Sequence, residues 1–391
     1  MLDPVGPPPR WLRAFVEPYA LWLNSPTFPD HVHEVLLAFV VYQSIHSFIS
    51  PWLSPILFPK SYPYLSARTK LNWDIHVVSL FQSVVINALA LWILFVDQER
   101  SSMSAGERVF GYTGACGFIQ ALAVGYFIYD IIVSTVHLRM FGVGVLFHAI
   151  SALWVFSLGF RPFVNYYAPV FILYELSTPF LNIHWFLDKV NMTGSRAQWY
   201  NGMLLLSVFF SCRLIWGTWQ SAVVYGDMWN ALQQTWSANT AHALEGPVDI
   251  SANVFTDAGA LCIDETCARA NAEISKFKEF TTGGVPTWLV VTYVASNLIL
   301  NFLNYVWFYK MVETVRKRFR DPAEGAPAKA DDKSPEKAVK LEDLAQEIVL
   351  EAAAALEQEE GAPLPRDLPL TREQISLATD SALENLRRRK D

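Results

Sequence analysis

A chain of 391 residues that is 52% hydrophobic, 14% aromatic and only 17% charged is too apolar for a water-soluble globular protein, in which about a quarter of positions carry charge. The mean hydropathy of +0.22 understates the contrast, because much of the charge falls after Asp321. The net charge of −7 averages over acidic and basic groups segregated along the chain; no basic stripe points to nucleic acid, and four cysteines are too few for a disulfide scaffold.

Residues 1–34 form an N-terminal segment with early prolines and two arginines but no compact apolar core ending at a cleavage site, so a retained segment is expected rather than a signal peptide. Trp11, Phe15, Tyr19, Trp22 and Leu23 predict a short helix lying in the membrane interface. A helix crosses a bilayer with about 20 apolar residues. Seven stretches reach that length: 35–58, 75–96, 109–136, 141–160, 164–187, 203–225 and 286–309. Pro51 and Pro55 predict a kink or an early stop in the first, and Cys116 and Cys212 lie within later ones as small hydrophobes. The fold class is therefore all-α: a polytopic transmembrane bundle of about seven spans over 35–310, with an insertion loop at 226–285 and a charged tail from 311 to 391.

Lys60, Arg68, Lys70, Arg139, Lys189, Arg196, Lys310 and Arg316 all fall on one side of a seven-span chain, whereas Asp97, Glu99, Glu107, Asp249, Asp257 and Glu273 fall on the other. The basic side is the cytosolic one, which puts the N-terminus outside and the C-terminus in the cytosol. Cys262 and Cys267 share the long acidic loop, where an oxidising lumen would let them pair or leave them as free thiols. The sequon Asn191-Met192-Thr193 is cytosolic in this topology, so no glycan is expected there. In the tail, 321–337 has the composition of a disordered linker. Leu341, Leu344, Ile348, Ala352 and Leu356 then recur at helical spacing, and Thr371 with Gln374 forms a capping box for a second helix. These helices are either solvated or bind a protein partner.

Ionisable groups inside a membrane span are costly and face the bundle interior. By helical rise, Asp130 and His148 lie roughly 12–15 Å from a shared loop on antiparallel neighbours. They are candidates for a carboxylate–imidazole pair acting as general base or nucleophile. Glu175 and Arg213 sit at matching depth, about 18–20 Å from theirs, and are expected to pair and lock two helices together. His76 and His184 are expected near the headgroup layer, and Asn182, Gln82 and Asn87 as interhelical hydrogen-bonding groups. No two histidines have metal-ligand spacing, so no metal is expected. Gly117, Ala121 and Gly125 make a small-residue stripe for close helix packing.

Several of these segments resemble one family. Leu71-Asn72-Trp73 with Val77-Val78-Ser79, Gly125-Tyr126-Phe127-Ile128-Tyr129-Asp130, Phe147-His148, and Glu175-Leu176-Ser177-Thr178-Pro179-Phe180-Leu181-Asn182 followed by Trp185 are similar to elements of TLC domain proteins. They come in order across about 35–310. With Arg213 included, the type 4 group is the subfamily most resembled. The resemblance implies an endoplasmic-reticulum or other endomembrane protein concerned with lipid homeostasis, whose partners are membrane lipids or acyl chains. The family includes ceramide synthases, which transfer an acyl chain from acyl-CoA. This chain departs from their pattern, with Phe147 where the first of two histidines stands and the Glu175–Asn182 segment in place of a His-Asp element. Two versions of the function follow: a lipid sensor or carrier without cofactor, and an acyltransferase with His148 oriented by Asp130 and acyl-CoA as co-substrate. Glu175, Arg213, Asn182, His184 and Trp185 complete the candidate site. A small-solute transporter is the third reading, without the interrupted, repeated helices such proteins carry.

Overall fold

The computed structural model of the protein describes residues 1–245, 250–255 and 272–319. The Cys262–Cys267 pair and the tail helices lie outside the described residues. Among those residues no strand occurs, and six helices are long and apolar enough to cross a membrane: Phe28–Leu57, Ala67–Val96, Ala105–Val136, Leu138–Leu158, Arg196–Thr240 and Thr287–Glu313. Large apolar side chains stand outward on them, Phe95 at 85% exposure and Phe302 at 66%, where lipid rather than water is the fitting solvent.

The N-terminal helix α1 (Arg10–Trp22) buries Ala20 and turns Trp11 and Trp22 outward. Helix α2 (Phe28–Leu57) begins at Phe28, not at Val35, because its first turns carry Asp30, His31, His33 and Glu34 and so fall outside a count of apolar residues. Pro51 cannot donate to the Ser47 carbonyl, and the backbone widens into a π turn over Ile45–Ile49 before it instead of stopping. Helix α3 (Ala67–Val96) starts on the Ser66 hydroxyl, which accepts from Thr69 N at 3.2 Å, a side-chain cap for an otherwise orphaned donor. Helix α4 (Gly114–Val136) packs along α2 at close range: a Cβ on Gly125 would lie 2.6 Å from Ala38 Cβ. That contact accounts for the small-residue stripe. Helix α5 (Leu138–Leu158) carries a break at Gly142, whose φ of 80° only glycine adopts freely.

The expected span 164–187 is not one helix. It runs as a 3₁₀ turn at Asn165–Tyr167, a short α turn, a second 3₁₀ stretch at Ile172–Ser177 and then α6 (Thr178–Lys189). Pro179 supplies the reason: its ring excludes the Glu175 carbonyl and its missing N–H removes the bond to it, so the preceding turn tightens. The segment still runs the depth of the bundle. Val164 N donates to Val109 O at 2.7 Å near one end, and Trp185 packs edge-on to Trp73, 5.9 Å between centroids, near the other.

Helix α7 (Arg196–Phe209) passes through a π-helical stretch, Phe210–Trp216, into α8 (Gly217–Glu245). The loop expected from Gly226 is therefore helix for its first part. Asp227 explains the extension, since Arg108 holds its carboxylate bidentately at 2.6 and 2.7 Å and Tyr167 donates to it as well. The last helix, α9 (Thr287–Phe319), runs antiparallel to α5: Arg161 lies over Trp288, and His148 over Trp307. The Met1 amino group lies 2.8 Å from Asp97, so the N-terminus and the described end of α9 sit at opposite ends of the bundle.

Candidate functional site

Between the middle of the bundle and its Trp73 end lies a cavity of about 130 Å³. Helix α3 contributes His76 and Ser79, α4 contributes Asp130 and Ser134, α5 His148, the interrupted segment Glu175, Ser177, Thr178 and Asn182, the π stretch Arg213, and α9 Trp307. Ile75, Phe141, Val145, Leu205 and Phe209 make the apolar wall. Polar groups that the sequence places far apart thus converge on one opening, and two irregular backbone segments aim them.

Arg213 is the hub. Its Nε donates to Tyr174 O at 2.9 Å and to Ser177 Oγ at 3.0 Å. Nη2 donates to Thr178 Oγ1 at 3.0 Å, and Nη1 to Asn304 Oδ1 at 3.1 Å. Glu175 Oε1 lies 3.7 Å from Nη2. The expected Glu175–Arg213 partners are together, and the guanidinium ties α9 into the same knot. A planar fork with five N–H groups suits this task. The π stretch permits it, because the wider turn rotates Arg213 toward the interrupted segment; such insertions are frequent at functional sites.

Asp130 and His148 share the cavity wall, but no hydrogen bond joins them. The His148 ring stands 5.6 Å from Trp307 and 6.4 Å from Phe127, centroid to centroid. A pair is expected on counting helical rise from the connecting loop, and the break at Gly142 invalidates that count. The imidazole is therefore positioned by aromatic rings, with its nitrogens left for the cavity.

His76 and His184 are both buried, His184 at 0% exposure, and neither reaches a headgroup layer as expected. The reason is the packing of α6 on α3: His76 Nδ1 lies 2.7 Å from Asn182 Oδ1, and its ring stacks on Trp185 at 4.2 Å. Asn182 Nδ2 also donates to Ser79 Oγ on α3 and to Thr178 O within α6, each at 3.0 Å. Trp185 stands behind His76 rather than on the cavity.

Sequence reasoning misses Asp74. It is buried and accepts from Ser50 Oγ at 2.6 Å and Tyr62 OH at 3.1 Å. Burial, then the neighbouring carboxylate, pushes the Tyr62 hydroxyl up to about 12, so it remains a donor at neutral pH. The signal is present: Asp74 follows directly on Leu71-Asn72-Trp73. Asn304 and Trp307 escape notice because uncharged polar and aromatic residues are common in spans, and Ser177 and Thr178 stand in the Glu175–Asn182 element without a role of their own.

The family model of the TLC domain matches residues 72–313, which takes in every residue of the cavity. The chain is 33% identical over 319 residues to an uncharacterized TLC domain-containing protein of Schizosaccharomyces pombe, covering 82% of this chain and 90% of the relative. It is 28% identical over 294 residues to Topoisomerase I damage affected protein 4 of Saccharomyces cerevisiae, covering 73% and 85%. To human TLC domain-containing protein 4 it is 28% identical over 181 residues, covering 46% and 67%. No solved structure matches.

Proposed function

The chain belongs to the TLC domain family, and on that premise we propose that it is a lipid-handling membrane protein. In this reading it binds the polar end of a lipid or acyl chain inside the bundle and acts in lipid homeostasis, in the endoplasmic reticulum or a related endomembrane, with seven crossings and a cytosolic C-terminus. The observation that carries the reading is the cavity itself, in which two imidazoles, two carboxylates and a guanidinium face apolar walls. That mixture suits an amphipathic ligand. At about 130 Å³ it is smaller than the roughly 300–1,000 Å³ that encloses a drug-sized molecule. Only a headgroup fragment, a carbonyl or a few methylenes fits, and the rest of the chain extends into the bilayer.

Mass spectrometry of lipids retained by the native protein tests this. One lipid class enriched over the bulk membrane is expected; retention in bulk proportions contradicts it. The proposed orientation leaves Asn191 without a glycan, and a glycan there would reverse it.

The position of His148 favours a second reading, acyl transfer. His148 would take the proton of an acceptor amine or hydroxyl as that group attacks an acyl-CoA thioester, and coenzyme A would leave as the thiol. Purified protein given labelled acyl-CoA and an acceptor then transfers label, and His148→Ala abolishes transfer while the fold persists. Equal transfer by that variant removes His148 from the chemistry.

A further inference from the structure

At the opposite end of α4 from the cavity, a second group of side chains has the makings of a ligand sphere. Gly117, beside it, is about 20 Å along α4 from Asp130 by helical rise. His31 and Glu34 come from the first turns of α2, three residues apart on one face, and Asp3 comes from the N-terminal segment. One donor atom from each lies within 4.8 Å of the other two. His31 Nδ1 is 2.7 Å from Glu34 Oε2 and 3.5 Å from Asp3 Oδ2. We propose that Asp3, His31 and Glu34 bind a divalent transition-metal ion, with zinc first and manganese second.

Four observations carry this. Glu34 is 1% exposed, and its second oxygen, Oε1, is buried without a hydrogen-bond partner. The Asp3 carboxyl lies within hydrogen-bonding reach of Glu34, and two carboxylates brought together in a protein interior are costly without a proton or a cation between them. The far nitrogen of His31, Nε2, lies 2.6 Å from Tyr112 OH. Metal-bound histidines are held in this way, with the second ring nitrogen tied to a fixed oxygen that sets the tautomer. Two glycines one turn apart on α4 shape the place. A Cβ on Gly117 would collide with the His31 ring, and one on Gly114 with the backbone of Asp3.

The last observation is charge. Asp30, beside the cluster, already holds Arg13 and Lys276, each at 3.1 Å, and Lys276 also lies over the Tyr112 ring. The Met1 amino group is taken by Asp97 and Glu99. Glu273, which receives Gly114 N at 3.1 Å, is a further acid beside the cluster. Asp3 and Glu34 therefore face one imidazole with the neighbouring cations engaged elsewhere. A dication balances both carboxylates while leaving the imidazole neutral, the form that ligates. One imidazole nitrogen with two carboxylate oxygens, and no thiolate, fits zinc or manganese better than copper(I), and the imidazole argues against magnesium or calcium. Bound there, the ion would fasten the N-terminal segment to α2 and the start of α4. A search for paired histidines passes over this site because two of its three ligands are acids.

The full-length protein in lipid nanodiscs, stripped with a chelator and passed through gel filtration, is to be given zinc chloride or manganese chloride in separate arms. Plasma mass spectrometry should find about one ion retained per chain, with a melting temperature that rises with metal concentration. Glu34→Gln and Asp3→Asn should each lower retention at least about tenfold. Asp3 is partly exposed and near the terminus, so its variant keeps the test decisive if Glu34→Gln does not fold. Retention by either ion supports the site. Wild type holding neither ion above the Asp3→Asn level overturns it, and so does an Asp3→Asn variant that holds as much as wild type.

Discussion

Around Asp227, at the end of the bundle that carries Asp97, charges close on one another. Arg108 clasps Asp227 through two short bonds, Tyr167 donates to the same carboxylate, and Arg100 lies over the Tyr166 ring at 3.9 Å. Toward the other end, a comparable set of charges surrounds an opening. Arg213 fans its bonds over the interrupted segment and α9, while Asp130 and His148 face the cavity. The backbone differs in the same way. Arg108 and Asp227 sit on regular α-helical turns, but Glu175 lies in a 3₁₀ stretch and Arg213 in a π stretch. Buried charge can be a staple or a binding surface, and here the irregular backbone marks the surface.

That contrast can be broken by substitution. The largest effect is expected from Arg213→Ala, which strips the hub and leaves Glu175 buried without its partner. Thermal denaturation in detergent should show a loss of about 3–5 kcal/mol, and Arg213→Lys should recover only part of it because an ammonium cannot reproduce the fork. Arg108→Ala should cost less, about 1–3 kcal/mol, since its side chain is 26% exposed. Its retained lipids should match wild type, and a change there would mean that the two ends are coupled. Gly125→Ala should cost about 1–3 kcal/mol by overpacking, because α2 lies against that position. The smallest stability effect, on the order of 1 kcal/mol, is expected from His148→Ala. This variant should nonetheless reduce the enriched lipid about fivefold, the loss of roughly 1 kcal/mol of hydrogen bonding.

Much of this is legible in the sequence, for a physical reason. A membrane span must be apolar, so each ionisable residue within one stands out, and residue type and position alone single out Glu175, Arg213, Asp130 and His148 as candidates. Their depths follow from helical rise only where the helix is continuous. Glu175 and Arg213 meet although both lie on irregular backbone, whereas the Gly142 break lies between Asp130 and His148, which do not bond. Hydropathy cannot see that Pro179 tightens the turn before it, nor that α8 continues past Gly226 because Asp227 has a partner in Arg108. His76 and His184 are misplaced for a related reason: proximity to a loop in sequence does not reveal that α6, which carries His184, packs on α3 beside His76.

What matters most is whether a lipid's polar end sits among Asp130, His148, Glu175 and Arg213, within the bundle. Photocrosslinking can decide this, using a lipid with a photoactivatable group beside its headgroup, incorporated into nanodiscs with the full-length protein and mapped by peptide sequencing. Adducts concentrated on the cavity-lining stretches of α4, α5 and the interrupted segment are expected. Adducts spread evenly over outward-facing residues such as Phe95 and Phe302, with none at the cavity, would contradict lipid binding there.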